Sequence, residues 1–157
     1  MLNRAAIAQR IPHQGSMCLL ERVVAWDQGA IECTATSHND GDNPLRAHGR
    51  LGIACGIEYA AQAMAVHGAL CAESAGQAGE TPRVGYLASV RSVDLHAQRL
   101  DDVAGALTVR AGRLMGDDNN IVYSFEIADG ARLLLAGRAT VVLDAAMAER
   151  VGMGNRT

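Results

Sequence analysis

One carboxylate stands out because it interrupts the most apolar stretch of the chain. Glu58 lies within Ile53 to about Ala72, a run of small and apolar residues that predicts a long helix buried on nearly all sides. An ionisable group in such a helix is costly unless it is paired or functional. His48 precedes Glu58 by ten residues. A carboxyl group and an imidazole can give and take protons near neutral pH, so this pair is the first candidate for catalysis.

Both candidates have ordinary alternatives. For Glu58 the alternative is a buried carboxylate paired with an arginine, and for His48 it is a solvated loop histidine. His38, at the end of a predicted strand, is a rival for the active histidine. The sequence therefore predicts a site at Glu58 and leaves the choice between His48 and His38 open, with His48 preferred.

The start of the predicted helix supplies a third kind of group. Backbone N–H groups in the first turn have no partner within the helix, and they stabilise negative charge on a substrate oxygen. Gly52, Ile53 and Ala54 are therefore predicted to bind substrate. Gln62 lies one turn beyond Glu58 on the same face. We expect it to line the site as a hydrogen-bonding group to backbone or to the acid, not as a reactive one.

The four cysteines do not indicate a metal site. Cys18, Cys33, Cys55 and Cys71 form no CxxC pair, and no group of Cys and His residues shows ligand spacing. We expect reduced thiols, as in a cytoplasmic protein. Cys55 lies at the helix start, where the helix dipole can lower the pKa of a thiol, but a small core residue is the favoured interpretation.

The composition limits the class of protein. The 157 residues suffice for one domain, predicted to span 1–157 with its core at about 11–144. A net charge of −3 argues against nucleic-acid binding, and the apolar stretches are too interrupted to span a membrane. Aromatic residues make up only 3%, so Ala, Val, Leu and Ile must build a thin core, which favours a dimer.

Strand patterns flank the helix on both sides. Ile31 to Ser37 alternates strictly, with Ile31, Cys33 and Ala35 on the apolar face. The other strand-like segments are Met17–Trp26, Arg83–Leu95, Gly105–Leu114, Asn120–Ala128 and Arg132–Leu143. This order predicts an α+β fold in which an antiparallel six-stranded sheet, its last four strands joined by consecutive hairpins, wraps around one long central helix.

Three segments resemble the 3-hydroxyacyl-acyl-carrier-protein dehydratases. Ile11-Pro12-His13, followed by Leu19-Leu20-Glu21-Arg22-Val23, is similar to the family's Leu-Pro-His and Leu-Leu-Asp-Arg-Val opening. Asn43-Pro44-Leu45 and Glu58-Tyr59-Ala60-Ala61-Gln62-Ala63 resemble its Pro-Phe-Phe and Glu-Ala-Leu-Ala-Gln stretch. A weaker match is Gly85-Tyr86-Leu87 with Val93 and Leu95. Together the matches cover most of residues 11–143.

The resemblance implies a hotdog fold, a dehydratase activity without a cofactor, and an acyl carrier protein as partner. It also implies a structural role for His13. The chain departs from the family at the catalytic histidine, which the family places fourteen residues before the acid in a His-Phe-Pro-Gly loop. That position is Pro44 here, and the loop is shorter. The chain thus looks closer to a divergent branch, the predicted dehydratases associated with aryl polyene lipid synthesis, in which a second hotdog subunit is thought to be the partner.

Three functions are consistent with these features. The first is a (3R)-hydroxyacyl-acyl-carrier-protein dehydratase that works as a dimer with its sites at the interface. The second is a non-catalytic hotdog subunit that pairs with an active one. The third is an acyl thioesterase. The altered loop around His48 favours the second function, while the retained Glu58 favours the first or the third.

Overall fold

The described part of the chain contains one long helix of nineteen residues, one short helix and seven strands. The computed structural model describes residues 1–76, 85–117 and 119–143. The elements are β1 (Leu2–Asn3), α1 (Arg4–Ala8), β2 (Arg22–Trp26), β3 (Ala30–Ala35), α2 (Gly56–Ser74), β4 (Gly85–Leu95), β5 (Leu107–Gly116), β6 (Asn120–Asp129) and β7 (Arg132–Leu143). A 3₁₀ turn, Ile53–Cys55, leads directly into α2. None of the described helices has the length and hydrophobicity that crossing a membrane requires.

The strands form a single antiparallel sheet in the order β1-β2-β3-β5-β6-β7-β4. The predicted α+β arrangement, an antiparallel sheet around one long helix, is confirmed. The sheet has seven strands instead of six because Leu2–Asn3 adds a two-residue strand beside β2. The helix α2 packs against β3, β5 and β6, in the middle of the sheet.

The prediction of four consecutive hairpins is wrong for β4. This strand pairs with β7 at the edge of the sheet, and only β5, β6 and β7 follow one another as hairpins. The link between β4 and β5 runs past the start of α2. There the Ile53 N–H donates to the Gln98 carbonyl (3.0 Å) and the Leu100 N–H donates to the Leu51 carbonyl (2.8 Å). These two bonds hold the chain at the helix start while it passes from the edge to the centre of the sheet.

The first long strand is shorter than predicted. The segment expected to be a strand from Met17 begins instead with a 3₁₀ turn, Gly15–Met17, and β2 starts only at Arg22. Hydrogen bonds to Gln62 of the helix occupy backbone groups of Met17 and Leu19, so these groups do not pair within the sheet. The predicted strand residues 83 and 84 lie outside the described residues.

The core lies between α2 and the inner face of the sheet. The predicted apolar face of β3 is buried, because Ile31, Cys33 and Ala35 are at most 2% exposed. From α2, apolar side chains such as Tyr59 and Val66 complete the same cluster. From Gly56 to residue 72 every residue of the helix is buried or partly buried, in line with the predicted burial on nearly all sides.

Two glycines of α2 test how tightly the helix approaches the sheet. A Cβ at Gly56 would lie 2.9 Å from Cδ1 of Ile127 and would overlap the Leu135 side chain, and both neighbours are fully buried. A Cβ at Gly68 would meet nothing within 4 Å. We expect Gly56→Ala to lower the free energy of unfolding by about 1–2 kcal/mol through overpacking.

The matched Gly68→Ala substitution should raise the free energy of unfolding by about 0.5–1 kcal/mol, since alanine is the better helix former. Urea unfolding of both variants measures the difference. A destabilised Gly68→Ala variant, or an unaffected Gly56→Ala variant, would contradict this account of the packing.

Candidate functional site

Glu58 lies in the first turn of α2. A carboxylate is favourable there because the partial positive charge of the helix dipole lies at the N-terminus. The side chain is 37% exposed, so it is not enclosed within an apolar helix as its sequence context suggests. Its Oε1 lies 3.2 Å from Nε2 of His13, and its Oε2 has no partner among the described residues. One oxygen therefore lies against the imidazole of His13, while the other has no protein partner in the described part of the chain.

His13 is the site neighbour that the sequence analysis missed, since the resemblance implied only a structural role. It lies 45 residues before Glu58 in the chain, and no local pattern links the two. Its side chain is 27% exposed. Its Nδ1 is enclosed and has no hydrogen-bond partner among the described residues. The only sequence signal was its place in the motif Ile11-Pro12-His13, which gives no distance to the helix.

Gln62 explains why His13 reaches Glu58. This residue is fully buried, and its two amide atoms bind the backbone of the segment that follows His13. The Leu19 N–H donates to Oε1 (2.9 Å), and Nε2 donates to the Met17 carbonyl (2.8 Å). Gln62 therefore bonds backbone, one of the two roles expected for it, and it fastens the segment to α2 one turn beyond Glu58.

The helix start offers fewer free donors than its sequence suggests. The Ile53 N–H already donates to the Gln98 carbonyl, so it is not available to a substrate. Gly52 forms an isolated bridge to Arg99, and the Gly52 carbonyl accepts from the Cys55 N–H (3.1 Å). Ala54 is exposed, and its N–H has no partner among the described residues. The Gly52 N–H takes part in neither bond, so Gly52 and Ala54 both remain donors, and Ala54 is the more exposed residue of the two.

His48 lies at the tip of a two-residue turn. The Ala47 N–H donates to the Arg50 carbonyl (2.9 Å), and the Arg50 N–H donates to the Ala47 carbonyl (3.1 Å). Both turn residues are left-handed, with φ of 54° at His48 and 73° at Gly49, as a type I′ turn requires. His48 is exposed and makes no contact with Glu58 within the described part of one chain. Its approach to Glu58 of a second copy stays a prediction.

A partly exposed cluster of one carboxylate and two guanidinium groups fixes the turn next to the helix start. Arg99 donates to both oxygens of Asp101, at 2.7 Å and 2.6 Å, and Arg46 donates to the same carboxylate at 3.4 Å. The hydrogen bonds from Arg99 hold the pKa of Asp101 well below its usual range. Arg46 precedes the His48 turn, and Arg99 lies in the link after β4. The Asp101 carboxylate therefore joins the turn to that link.

The rival histidine His38 lies in the core. It is fully buried, and its Nε2 donates to the Val103 carbonyl (3.0 Å), which secures the link before β5. Its Nδ1 is enclosed without a partner among the described residues. His38 has no contact with Glu58, whose histidine neighbour is His13. The geometry therefore gives His38 a structural role.

Two further groups near the helix start are also structural. Burial raises the pKa of the Cys55 thiol, which donates to the Leu45 carbonyl at 3.7 Å, so the dipole does not make it reactive. The hydroxyl of Tyr59 lies 2.8 Å from Oγ of Ser37 and accepts from the Asn43 amide (3.0 Å). This network fastens the polar loop after β3 to α2, a role that the sequence does not reveal.

The chain has matches among known families and structures. The model of a family described as ApeP-like, the ApeP dehydratases, matches residues 5–151. No curated protein matches at a comparable level. Three solved structures are similar. One is the dehydratase heterocomplex ApeI:P of Xenorhabdus doucetiae, with 23% identity, coverage of 96% of this chain and 97% of that chain, and a TM-score of 0.80.

The other two are thioesterases. One, from Haemophilus influenzae, is 17% identical over 90% of both chains, with a TM-score of 0.62. The other, from Staphylococcus aureus, is 16% identical over 77% of this chain and 90% of that chain, with a TM-score of 0.55. At these identities the structural likenesses establish the fold, which is the hotdog fold.

Proposed function

We propose that this chain, which belongs to the ApeP-like dehydratase family, takes part in removing water from a 3-hydroxyacyl thioester carried by an acyl carrier protein. The observation that carries the proposal is the Glu58 carboxyl group in the first turn of the central helix, on a side chain that is 37% exposed. One of its oxygens lies 3.2 Å from Nε2 of His13, and the other has no partner among the described residues. Ala54, an exposed residue whose N–H has no partner among the described residues, lies in the preceding 3₁₀ turn.

The reaction needs two proton transfers. A base takes the proton from C2, the C2–H electron pair forms the new double bond to C3, and the C3–O bond breaks. An acid gives its proton to the departing hydroxyl group, which leaves as water. Glu58 is the proposed acid. His48 of a second copy is the proposed base, since a neutral imidazole has one ring nitrogen that can accept a proton. Ala54 N–H is the proposed donor to the thioester oxygen, which gains negative charge.

A second subunit is part of the proposal. Among the described residues, the strand β4 pairs only with β7, and its eleven residues are mostly exposed, Leu87 and Leu95 among them. Such an edge is a template for pairing with another sheet. We propose that β4 joins the sheet of a second hotdog subunit, either another copy or a different chain. The resemblance to a dehydratase heterocomplex supports a different chain.

A non-catalytic subunit is the second candidate function. The observation that favours it is the turn at His48, because a left-handed histidine followed by a left-handed glycine is accounted for by turn geometry alone. In addition, the groove of about 580 Å³ between Trp26 and Arg138 does not include Glu58 among its lining residues. A thioesterase remains the third function, supported by the two thioesterases of the same fold.

The product distinguishes these three functions. The chain alone, the hotdog protein that co-purifies with it alone, and the complex of the two are each purified. Each sample receives a 3-hydroxyacyl and a saturated acyl carrier protein. Mass spectrometry of the carrier is expected to show loss of water from the hydroxyacyl chain only. Release of either acyl group from the carrier protein would identify a thioesterase. Dehydration by the partner alone, at the rate of the complex, would identify a non-catalytic subunit.

A further inference from the structure

The contact between His13 and Glu58 joins two elements that are distant in sequence. The histidine lies in the connection after α1, and the glutamate lies in the first turn of α2. Nε2 and Oε1 are 3.2 Å apart. We infer that His13 is a positioning residue which holds the Glu58 carboxyl group from within the same chain. The inference rests on the proposed function, and it means that this half of the site is set before a second subunit binds.

The fold fixes the backbone on both sides of His13. Before His13, Ile11 is 5% exposed and belongs to the core. The side-chain amide of Gln14, directly after His13, donates back to the Ala8 carbonyl at 2.9 Å. On the following side, the Arg4 guanidinium donates to the carbonyls of Gly15 (2.9 Å) and Cys18 (2.8 Å). Surface ion pairs usually contribute little to stability, because two long side chains must be ordered to form them. Here the fold has already ordered the segment that carries the imidazole.

Gln62 completes this support from the helix itself. It binds the backbone of Met17 and Leu19 and lies one turn beyond Glu58 on the same helix. The helix therefore carries both the carboxyl group and the anchor of the segment that holds it. The anchor reaches the backbone at Met17 and Leu19, four and six residues after His13. This is the kind of arrangement that keeps a catalytic group in a productive geometry.

The two nitrogens of His13 differ in what they contact. Nε2 faces Glu58, while Nδ1 is enclosed and without a partner among the described residues. In the neutral ring with its hydrogen on Nε2, the N–H is available to the carboxylate and only a lone pair is left on the enclosed Nδ1. This tautomer leaves no N–H group buried without an acceptor. The positioning role of His13 therefore depends on its Nε2 nitrogen, which faces Glu58.

Two matched substitutions test which nitrogen matters. The side-chain amide nitrogen of glutamine lies three bonds from Cβ, as Nε2 does, whereas that of asparagine lies two bonds away, as Nδ1 does. We expect the kcat of dehydration in His13→Asn to fall by about 10- to 100-fold with KM nearly unchanged, because the carboxyl group loses its fixed orientation. His13→Gln should keep a kcat about tenfold above that of His13→Asn. Both variants should unfold at similar urea concentrations, and equal kcat values for them would overturn the inference.

A measurement without turnover tests the contact directly. Nitrogen NMR of the imidazole rings is recorded for the native chain and for Glu58→Gln, with the buried His67 as reference, since it is bonded to Tyr123 and to the Asp27 carbonyl. We expect the His13 Nε2 signal to move and the His67 signals to stay. An unmoved His13 signal would overturn the inference. If the signal moves but the native complex converts neither thioester, the proposed function fails and the contact stands.

Discussion

Replacing Glu58 with glutamine should lower the kcat of dehydration by about 10²- to 10⁴-fold, the usual contribution of a positioned acid or base. Glutamine has nearly the same shape but cannot give a proton to the departing hydroxyl group. Because Glu58 is 37% exposed, the substitution buries no new polar group, and the urea midpoint should stay close to that of the native chain. Steady-state kinetics of the purified complex and urea unfolding measure the two effects.

The same variant tests whether His48 acts across a dimer. His48→Asn is a suitable companion, because asparagine tolerates the left-handed turn that His48 adopts. If the site combines His48 of one copy with Glu58 of the other, mixing the two inactive variants restores one intact site in each mixed dimer. Random mixing then recovers about a quarter of the native activity, given a symmetric two-fold dimer. No recovery, in a chain that does form dimers with itself, would contradict the His48 assignment.

Local patterns predicted the elements of the fold better than their order in the sheet. Strict alternation identified the buried face of β3, and the run of small apolar residues identified α2. The edge position of β4 has no such local signal. It depends on backbone bonds between the helix start and the link after β4, including that from Ile53 to Gln98. Those bonds join residues far apart in the chain, and the side-chain pattern does not encode them.

The candidate site shows the same difference between residues marked by a local pattern and residues placed by long-range contacts. Glu58 was chosen because a lone carboxylate within an apolar run is conspicuous and because the segment that begins with it resembles the dehydratase motif. His13 was missed, because its distance from Glu58 depends on where Gln62 anchors the intervening backbone. His48 was chosen for its nearness to Glu58 in sequence, although a histidine followed by glycine also fits a left-handed turn. Turn chemistry would have supplied that alternative from the sequence.

The anchor at Gln62 should contribute most to stability among the polar side chains near the site. In Gln62→Leu the Leu19 N–H loses its acceptor and the Met17 carbonyl loses its donor, at a position that is fully buried. A buried group left without a partner costs about 1–3 kcal/mol. We expect the free energy of unfolding to fall by about 1–3 kcal/mol, mainly from the Leu19 N–H, because Leu19 is buried whereas Met17 is 40% exposed and its carbonyl can bind water.

Gln28→Leu is the matched control for this substitution. Gln28 is exposed, and within the described part of the chain its amide donates only to Oγ of Ser74, at 3.4 Å. Its loss should therefore change the free energy of unfolding by less than about 0.5 kcal/mol. Urea unfolding compares the two variants. In a folded fraction of Gln62→Leu, the segment after His13 is no longer fastened to α2, and kcat should fall together with stability. Equal free energies of unfolding for the two variants would mean that the backbone of Met17 and Leu19 is satisfied without the Gln62 amide.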